Sequence, residues 1–250
     1  MTTILLPPSE TKRAGGSGEP LAFDGLALPV LAPQREAVVA SLVALSADPE
    51  EAARVLKLSE RQRGAIADNA ALRRAPTMPA ADRYTGVLFD ALDASSLDDA
   101  SRAWLGTHAL IHTAPFGPVG ALDAIPAYRL AAGASLPGLP SMRRVWSEPT
   151  SAALAEVAPL VVDLRSEAYA SLGPVPPGVP STYVRVVTEG ADGAVRALNH
   201  FNKKAKGELT RRLATDRPRL TTPADLVAWG RAAGLRLRPG ARAGETELVV

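Results

Sequence analysis

Lys203, Lys204, Lys206, Arg211 and Arg212 put five cations within ten residues, directly after a hydrophobic, strand-like run. Each lysine or arginine can replace a condensed counterion on a polyanion, so phosphate binding is the first chemistry the pattern suggests. At helical spacing Phe201, Ala205, Leu209 and Leu213 fall on one face, and Lys203, Lys204, Lys206 and Arg211 project from its sides and back. A solvated charged helix face is the competing reading. Charge is uneven along the chain. Residues 200–250 hold eleven Lys or Arg against five acids, whereas residues 1–199 hold seventeen against twenty-one. Anion binding must therefore come from a local patch.

Three further constellations could carry chemistry. Asp163 ends an apolar run and is followed by Arg165, Ser166, Glu167 and Tyr169, while Ser9, Glu10 and Lys12 follow the first apolar run in the same way. The ends of parallel strands commonly build clefts, which makes these residues candidates for lining one; Ser166 reads equally well as a helix cap. Between Asp48 and Arg73, two short helices joined at Lys57-Leu58 and capped by Ser59 resemble a helix-hairpin-helix. In that motif the N–H groups at the second helix start meet a DNA phosphate, with Lys57, Arg61 and Arg63 adding charge. The hairpin lacks the glycines usual in the motif, and an ordinary αα-hairpin fits as well. His108 and His112, four residues apart, could join His200 in a metal site, but no carboxylate lies beside them and no metal or cofactor is expected. The sequence contains no nucleophile elbow, phosphate-binding Gly-Lys-Ser/Thr loop, dinucleotide fingerprint or His-Glu-x-x-His.

These residues need a frame. Thr3–Leu6, 108–113 and 160–164 read as strands, and a hairpin pairs 183–188 with 194–199. Helices are expected over 33–46, 48–56, 59–73, 96–104, 141–157 with a break at Pro149, 166–172, the basic segment, and 222–233, followed by two short strands. Residues 114–134, rich in Gly and Pro, read as mostly loop, and Gly173–Pro180, with four prolines, as a stiff connector. Strands and helices interleave without a regular rhythm. The expected fold is one α/β or α+β domain over 1–250, with a mixed sheet and flanking helices.

Composition narrows the function classes. With no Cys, the chain cannot use disulfides, thiolate catalysis, iron–sulfur clusters or Cys-based zinc sites. No apolar run approaches the roughly 18–20 residues of a membrane span, and residues 1–8 lack the basic and apolar regions of a signal peptide. A cytoplasmic protein with no membrane partner is expected.

The ordered series Leu5-Leu6-Pro7-Pro8-Ser9-Glu10-Thr11-Lys12, Tyr84-Thr85-Gly86, Leu122-Asp123, Tyr128-Arg129-Leu130, Trp146, Val161–Tyr169 and Phe201–Gly207 resembles the YaaA family of bacterial peroxide-stress proteins. The resemblance implies a cytosolic protein that limits iron-driven oxidative damage, with a positively charged cleft, a helix-hairpin-helix element and DNA binding. By position, Lys203, Lys204 and Lys206 match the family's basic cluster, and Tyr128, Arg129, Trp146, Ser166 and Tyr169 match other motif positions. Departures are Gly120-Ala121 and Phe116-Gly117 in place of an Arg and a Tyr-Gly, and Ser-Glu-Thr-Lys at 9–12. The expected partner is DNA, duplex or distorted, bound through Lys12, Arg129, Arg165, Ser166, Lys203, Lys204, Lys206 and Arg211. The alternative is an enzyme acting on a nucleic acid or another small, nucleotide-like anion in the same cleft.

Overall fold

Strand formation follows the apolar runs. In the computed structural model, which describes residues 2–157, 159–189, 195–197 and 201–250, the strands are β1 (Thr2–Leu6), β2 (Met78–Pro79), β3 (Ala109–Thr113), β4 (Gly117–Gly120), β5 (Ala124–Ile125), β6 (Leu160–Asp163), β7 (Ser181–Glu189), β8 (Val195–Ala197), β9 (Leu237–Pro239) and β10 (Glu245–Val249). The helices are α1 (Ala32–Leu45), α2 (Pro49–Val55), α3 (Ala65–Ala70), α4 (Ala80–Arg83), α5 (Val87–Leu92), α6 (Asp99–His108), α7 (Met142–Ala155), α8 (Glu167–Ala170), α9 (Phe201–Asp216) and α10 (Pro223–Ala232).

The main sheet runs β4-β3-β1-β6-β7-β10-β9, with β8 paired to β7 and a separate pair β2-β5. Its centre is parallel: β1 pairs in parallel with β3 and β6, β6 with β7, and β7 with β10, while β4, β8 and β9 pair antiparallel. Parallel strands are covered on both faces, which is why β1 and β6 are buried at every position. This confirms a mixed α/β sheet. From β1 the chain goes first to β3 on one side and later to β6 on the other. The C-terminal ends of β1 and β6 therefore flank a topological switch point, and residues 7–12 and 164–166 leave the sheet on either side of it.

Three expectations need correction and one a refinement. Residues 114–134 are mostly turn and coil, as expected, but they also carry Gly117–Gly120, a fully buried edge strand against β3, and the short β5. An edge strand tolerates the missing N–H of Pro118, so the proline that argued against a strand is accommodated. Helix α7 runs unbroken through Pro149. The segment 59–73 is not one helix: a 3-10 turn at Glu60–Gln62, closed by the Ser59–Gln62 capping box, precedes the short α3. Helix α6 is capped by Asp98, whose carboxylate accepts from Ser101 N at 2.7 Å, and it reaches His108. The hairpin is present as the β7–β8 ladder, while its turn and residues 198–199 lie outside the described residues. Among the described residues, no helix is long and apolar enough to cross a membrane.

Helix α9 packs along α5 and against α6 and β7. Its buried positions are Ala205, Lys206, Gly207, Leu209, Thr210, Leu213 and Ala214. The crossing is close because residue 207 has no side chain: a Cβ there would sit 2.2 Å from Leu88 O and 2.9 Å from Ala91 Cβ. Gly207→Ala must push α9 off α5, and a cost of about 1–3 kcal/mol is expected, read as a lower urea midpoint. An unchanged midpoint would show that the two helices separate freely.

Candidate functional site

The first half of the site grows from the loop after β1. Lys12 forms an isolated antiparallel bridge with Tyr84, which turns its side chain back over the loop. Its Nζ donates to Ser9 O at 3.0 Å and Glu10 O at 3.4 Å, and lies 4.1 Å from the Tyr128 ring centre and 5.3 Å from that of Tyr84. The two phenols are joined at 2.6 Å, and Phe116 and Phe89 pack against them. Burial, with the Arg129 charge adding to it and Glu10 opposing, lowers the Lys12 amine to about 7. Burial also raises the phenols of Tyr84, Tyr128 and Tyr169 above the usual range.

Arg129 reaches the same loop, donating to Glu10 Oε2 at 3.0 Å and to Glu10 O at 3.4 Å. A buried amide on α3 sets its backbone. Asn69 Oδ1 accepts from Arg129 N at 2.8 Å, and Asn69 Nδ2 donates to Arg129 O at 3.0 Å. The helical hairpin thus positions Arg129.

The second half lies beyond β6. Arg165 is fully buried and grips Asp163 bidentately, Nε to Oδ1 at 2.9 Å and Nη2 to Oδ2 at 2.6 Å. Its Nη1 donates to His112 Nδ1 at 2.8 Å and to Gly173 O at 2.9 Å. That contact makes Nδ1 an acceptor, so His112 is the neutral tautomer with its proton on Nε2. Burial and the Arg165 charge hold His112 well below its ordinary value, and Nε2 has no protein partner. The Arg165 carbonyl accepts from Tyr183 Oη at 2.8 Å and from Lys206 Nζ at 3.4 Å. Lys206 Nζ sits 5.4 Å from the Tyr183 ring centre, and burial lowers its amine to about 8 against the opposing charge of Asp163. A recess here is lined by Asp163, Arg165, Ser171, Thr182, Tyr183 and Gly244. Tyr169 joins the halves: its ring lies 6.0 Å from that of His112, and it feels the charges of Glu10 and Arg129.

The basic run does not form one face. Lys206, expected on the outer side, turns inward to Arg165. Lys203 and Lys204 are exposed, and Lys204 pairs with Glu208 at 3.5 Å. Arg212 pairs with Asp216 at 2.8 Å, while Arg211 donates to Leu92 O and Asp93 O and so holds the C-terminus of α5. Ser166 is exposed before α8, and its hydroxyl does not cap the helix.

At the hairpin, Lys57 adopts a left-handed φ of 53°. Lys57 and Arg61 are exposed, whereas Arg63 is held by Glu50 at 2.5 Å and Glu60 at 3.0 Å. His108 ends α6 stacked on Trp104, ring centres 4.0 Å apart, and His112 lies in β3. His200 lies outside the described residues, and among the described ones no three His, Cys, Asp or Glu are grouped to hold a metal. Sequence reasoning missed Asn69 and Tyr183; a polar residue inside a short apolar helix and an aromatic at a strand start were the available signals.

A family model described as "Peroxide stress protein YaaA" matches residues 2–241. A UPF0246 protein of Corynebacterium efficiens is 45% identical over 236 residues, covering 93% of each chain. One from Corynebacterium glutamicum is 44% identical over 236 residues with the same coverage. One from Streptomyces coelicolor is 42% identical over 227 residues, covering 90% of this chain and 87% of its own.

Two outcomes follow from the buried charges. Asp163→Asn leaves the Arg165 guanidinium buried without its counter-charge, and a loss of about 3–5 kcal/mol is expected in urea unfolding; a loss below about 1 kcal/mol would mean the pair contributes little. Lys12 titrates near 7 in the folded chain and near 10.5 when unfolded. The unfolded state holds its proton more tightly through that window, so this group's cost is full below pH 7 and fades as pH rises towards 10.5. Lys12→Met, compared with wild type, should therefore be more favourable near pH 6.5 than near pH 10, by about 1–2 kcal/mol given the partial solvation of the side chain. A difference independent of pH would contradict this.

Proposed function

The chain belongs to the YaaA family of peroxide stress proteins, and from that premise we propose that it serves the peroxide stress response by binding DNA with little sequence preference. The contact surface in this reading is the C-terminal edge of the parallel strands, at the switch point between β1 and β6. One observation carries it: at that edge Arg129 reaches over the loop that carries Lys12, while Lys206 lies buried beside Arg165, whose own charge is met by Asp163. The Lys12 and Lys206 amines are partly discharged by burial, and a phosphate would restore their charge. Lys203 and Lys204 extend the footprint outward along α9, with Ser166 offering a hydroxyl and Arg211 shaping the adjoining helix end. Lys57, Ser59 and Arg61 provide an outer contact on the hairpin, with Arg63 occupied by its glutamates. We place the protein in the cytoplasm.

A second reading has its own support. A half-buried amine titrating near 7, beside a phenol pair and a carboxylate, suits proton transfer on a small nucleotide-like anion in the same cleft.

Fluorescence anisotropy with unrelated duplexes, a bubble duplex and single strands, across a salt range and at two pH values, tests both. Phosphate contacts predict a steep salt slope, and Lys203→Ala with Lys204→Ala should reduce its magnitude by about 2 for every duplex. Affinity should fall from pH 6 to pH 9 at constant salt, because Lys12 and Lys206 lose their protons across that range. No binding to any DNA would remove the first reading, and displacement of DNA by micromolar nucleotide would favour the second.

A further inference from the structure

Lys12 is placed differently from the chain's other lysines. Lys57, Lys203 and Lys204 are exposed, and Lys206 is enclosed against Arg165 and Tyr183. Lys12 is half-buried, neither open to water like the first three nor enclosed like Lys206. Two backbone carbonyls, Ser9 O and Glu10 O, can take both N–H bonds of a neutral amine, leaving its lone pair without a partner. The rings of Tyr128 and Tyr84 wall the nitrogen, and the charged groups acting on it are Glu10, Asp68, Arg83 and Arg129. Arg83 is occupied by four backbone carbonyls, of Arg13, Gly15, Pro76 and Ile125. Arg129 is the cation on the open side of the loop, where its guanidinium holds the exposed Glu10 carboxylate. A desolvated lysine beside another cation is the arrangement that makes an amine nucleophilic at neutral pH.

We propose that the Lys12 amine is a nucleophilic site that forms an imine with a small carbonyl compound carrying a carboxylate or phosphate, the anionic group resting on Arg129 in place of Glu10. The nitrogen lone pair attacks the carbonyl carbon, forming the C–N bond, and a proton passes from nitrogen to oxygen through water to give a carbinolamine. Loss of that oxygen as water breaks the C–O bond and leaves the imine, with no net oxidation or reduction. At pH 7 an amine titrating near 7 is about half neutral, whereas an ordinary lysine is neutral in only about one molecule in a few thousand. Part of that advantage is offset because a weaker base is a weaker nucleophile. The site goes beyond DNA binding and needs none, so its failure leaves the anisotropy experiment untouched.

Reductive trapping on the full chain provides the test. The protein is treated with glyoxylate, with pyridoxal 5′-phosphate, or with uncharged butyraldehyde, each with cyanoborohydride, which reduces an imine to a stable secondary amine. Peptide mass mapping then compares all five lysines. With either anionic aldehyde at pH 7, Lys12 is expected to react about tenfold or more faster than Lys57, Lys203 and Lys204, with the lead shrinking by pH 10. Arg129→Gln should slow trapping of the anionic aldehydes severalfold more than that of butyraldehyde, which slows only through the lost neighbouring charge. Equal rates at Lys12 and the exposed lysines, or a lead at Lys206, would overturn the assignment of the nucleophile. Equal Lys12 rates with charged and uncharged aldehydes would overturn the role of Arg129. Because the labelling is read on wild-type protein, it does not depend on a variant folding.

Discussion

A guanidinium removed from water must find partners for five N–H groups, and at Arg165 that demand organises the centre of the molecule. Asp163 supplies charge, His112 a ring nitrogen and Gly173 a carbonyl, so one side chain ties the end of β6 to β3 and to the start of the proline-rich connector. The carbonyl of Arg165 in turn receives Tyr183 and Lys206. The tautomer of His112, the inward turn of Lys206 and the shape of the recess beside β7 all follow from this one satisfied charge. Relative to an apolar replacement of both partners such a buried pair adds little stability, although removing one partner alone is costly. Its effect is to leave a single arrangement in which no charge is stranded.

Arg35 and Arg83 apply the same device without a carboxylate in direct contact. Arg35 donates to the carbonyls of Phe116, Ala27, Pro118 and Phe23, and Arg83 to those of Arg13, Gly15, Pro76 and Ile125. Irregular backbone around the site would otherwise leave acceptors unpaired inside the protein. The loops that carry Lys12 and the aromatic wall are therefore tied together through their backbone carbonyls by side chains that sequence inspection would assign to the surface.

What the sequence revealed divides along these lines. The parallel strands were legible because burial on both faces writes a continuous apolar run, as in Ile4-Leu5-Leu6 and Leu160–Val162. Strand β4 was not, because Gly117 and Pro118 carry no strand signal and only the edge position admits them. Along α9 the stripe Ala205, Leu209, Leu213 was correct, yet Lys206, Thr210 and Ala214 are buried as well. A helix pressed between α5 and β7 hides an arc two residues wide, so a four-residue stripe places Lys206 on the wrong side of the boundary. Glu10, Lys12, Asp163 and Arg165 were singled out from their positions after strands, and the topology does set them at the C-terminal ends of β1 and β6. The contacts made by Asn69 and by Tyr183 were invisible, since each depends on a partner that only the fold brings near.

The two carbonyl-bound arginines also bear on how the chain reaches its native state. Arg83 is 68 and 70 residues from Gly15 and Arg13, and Arg35 is 81 and 83 residues from Phe116 and Pro118. Neither guanidinium can shed its water until those distant segments have closed, and long-range closure is slow relative to helix formation. The backbone around the strand ends is consequently expected to consolidate late, and a nascent chain that stalls before Phe116 emerges holds Arg35 hydrated.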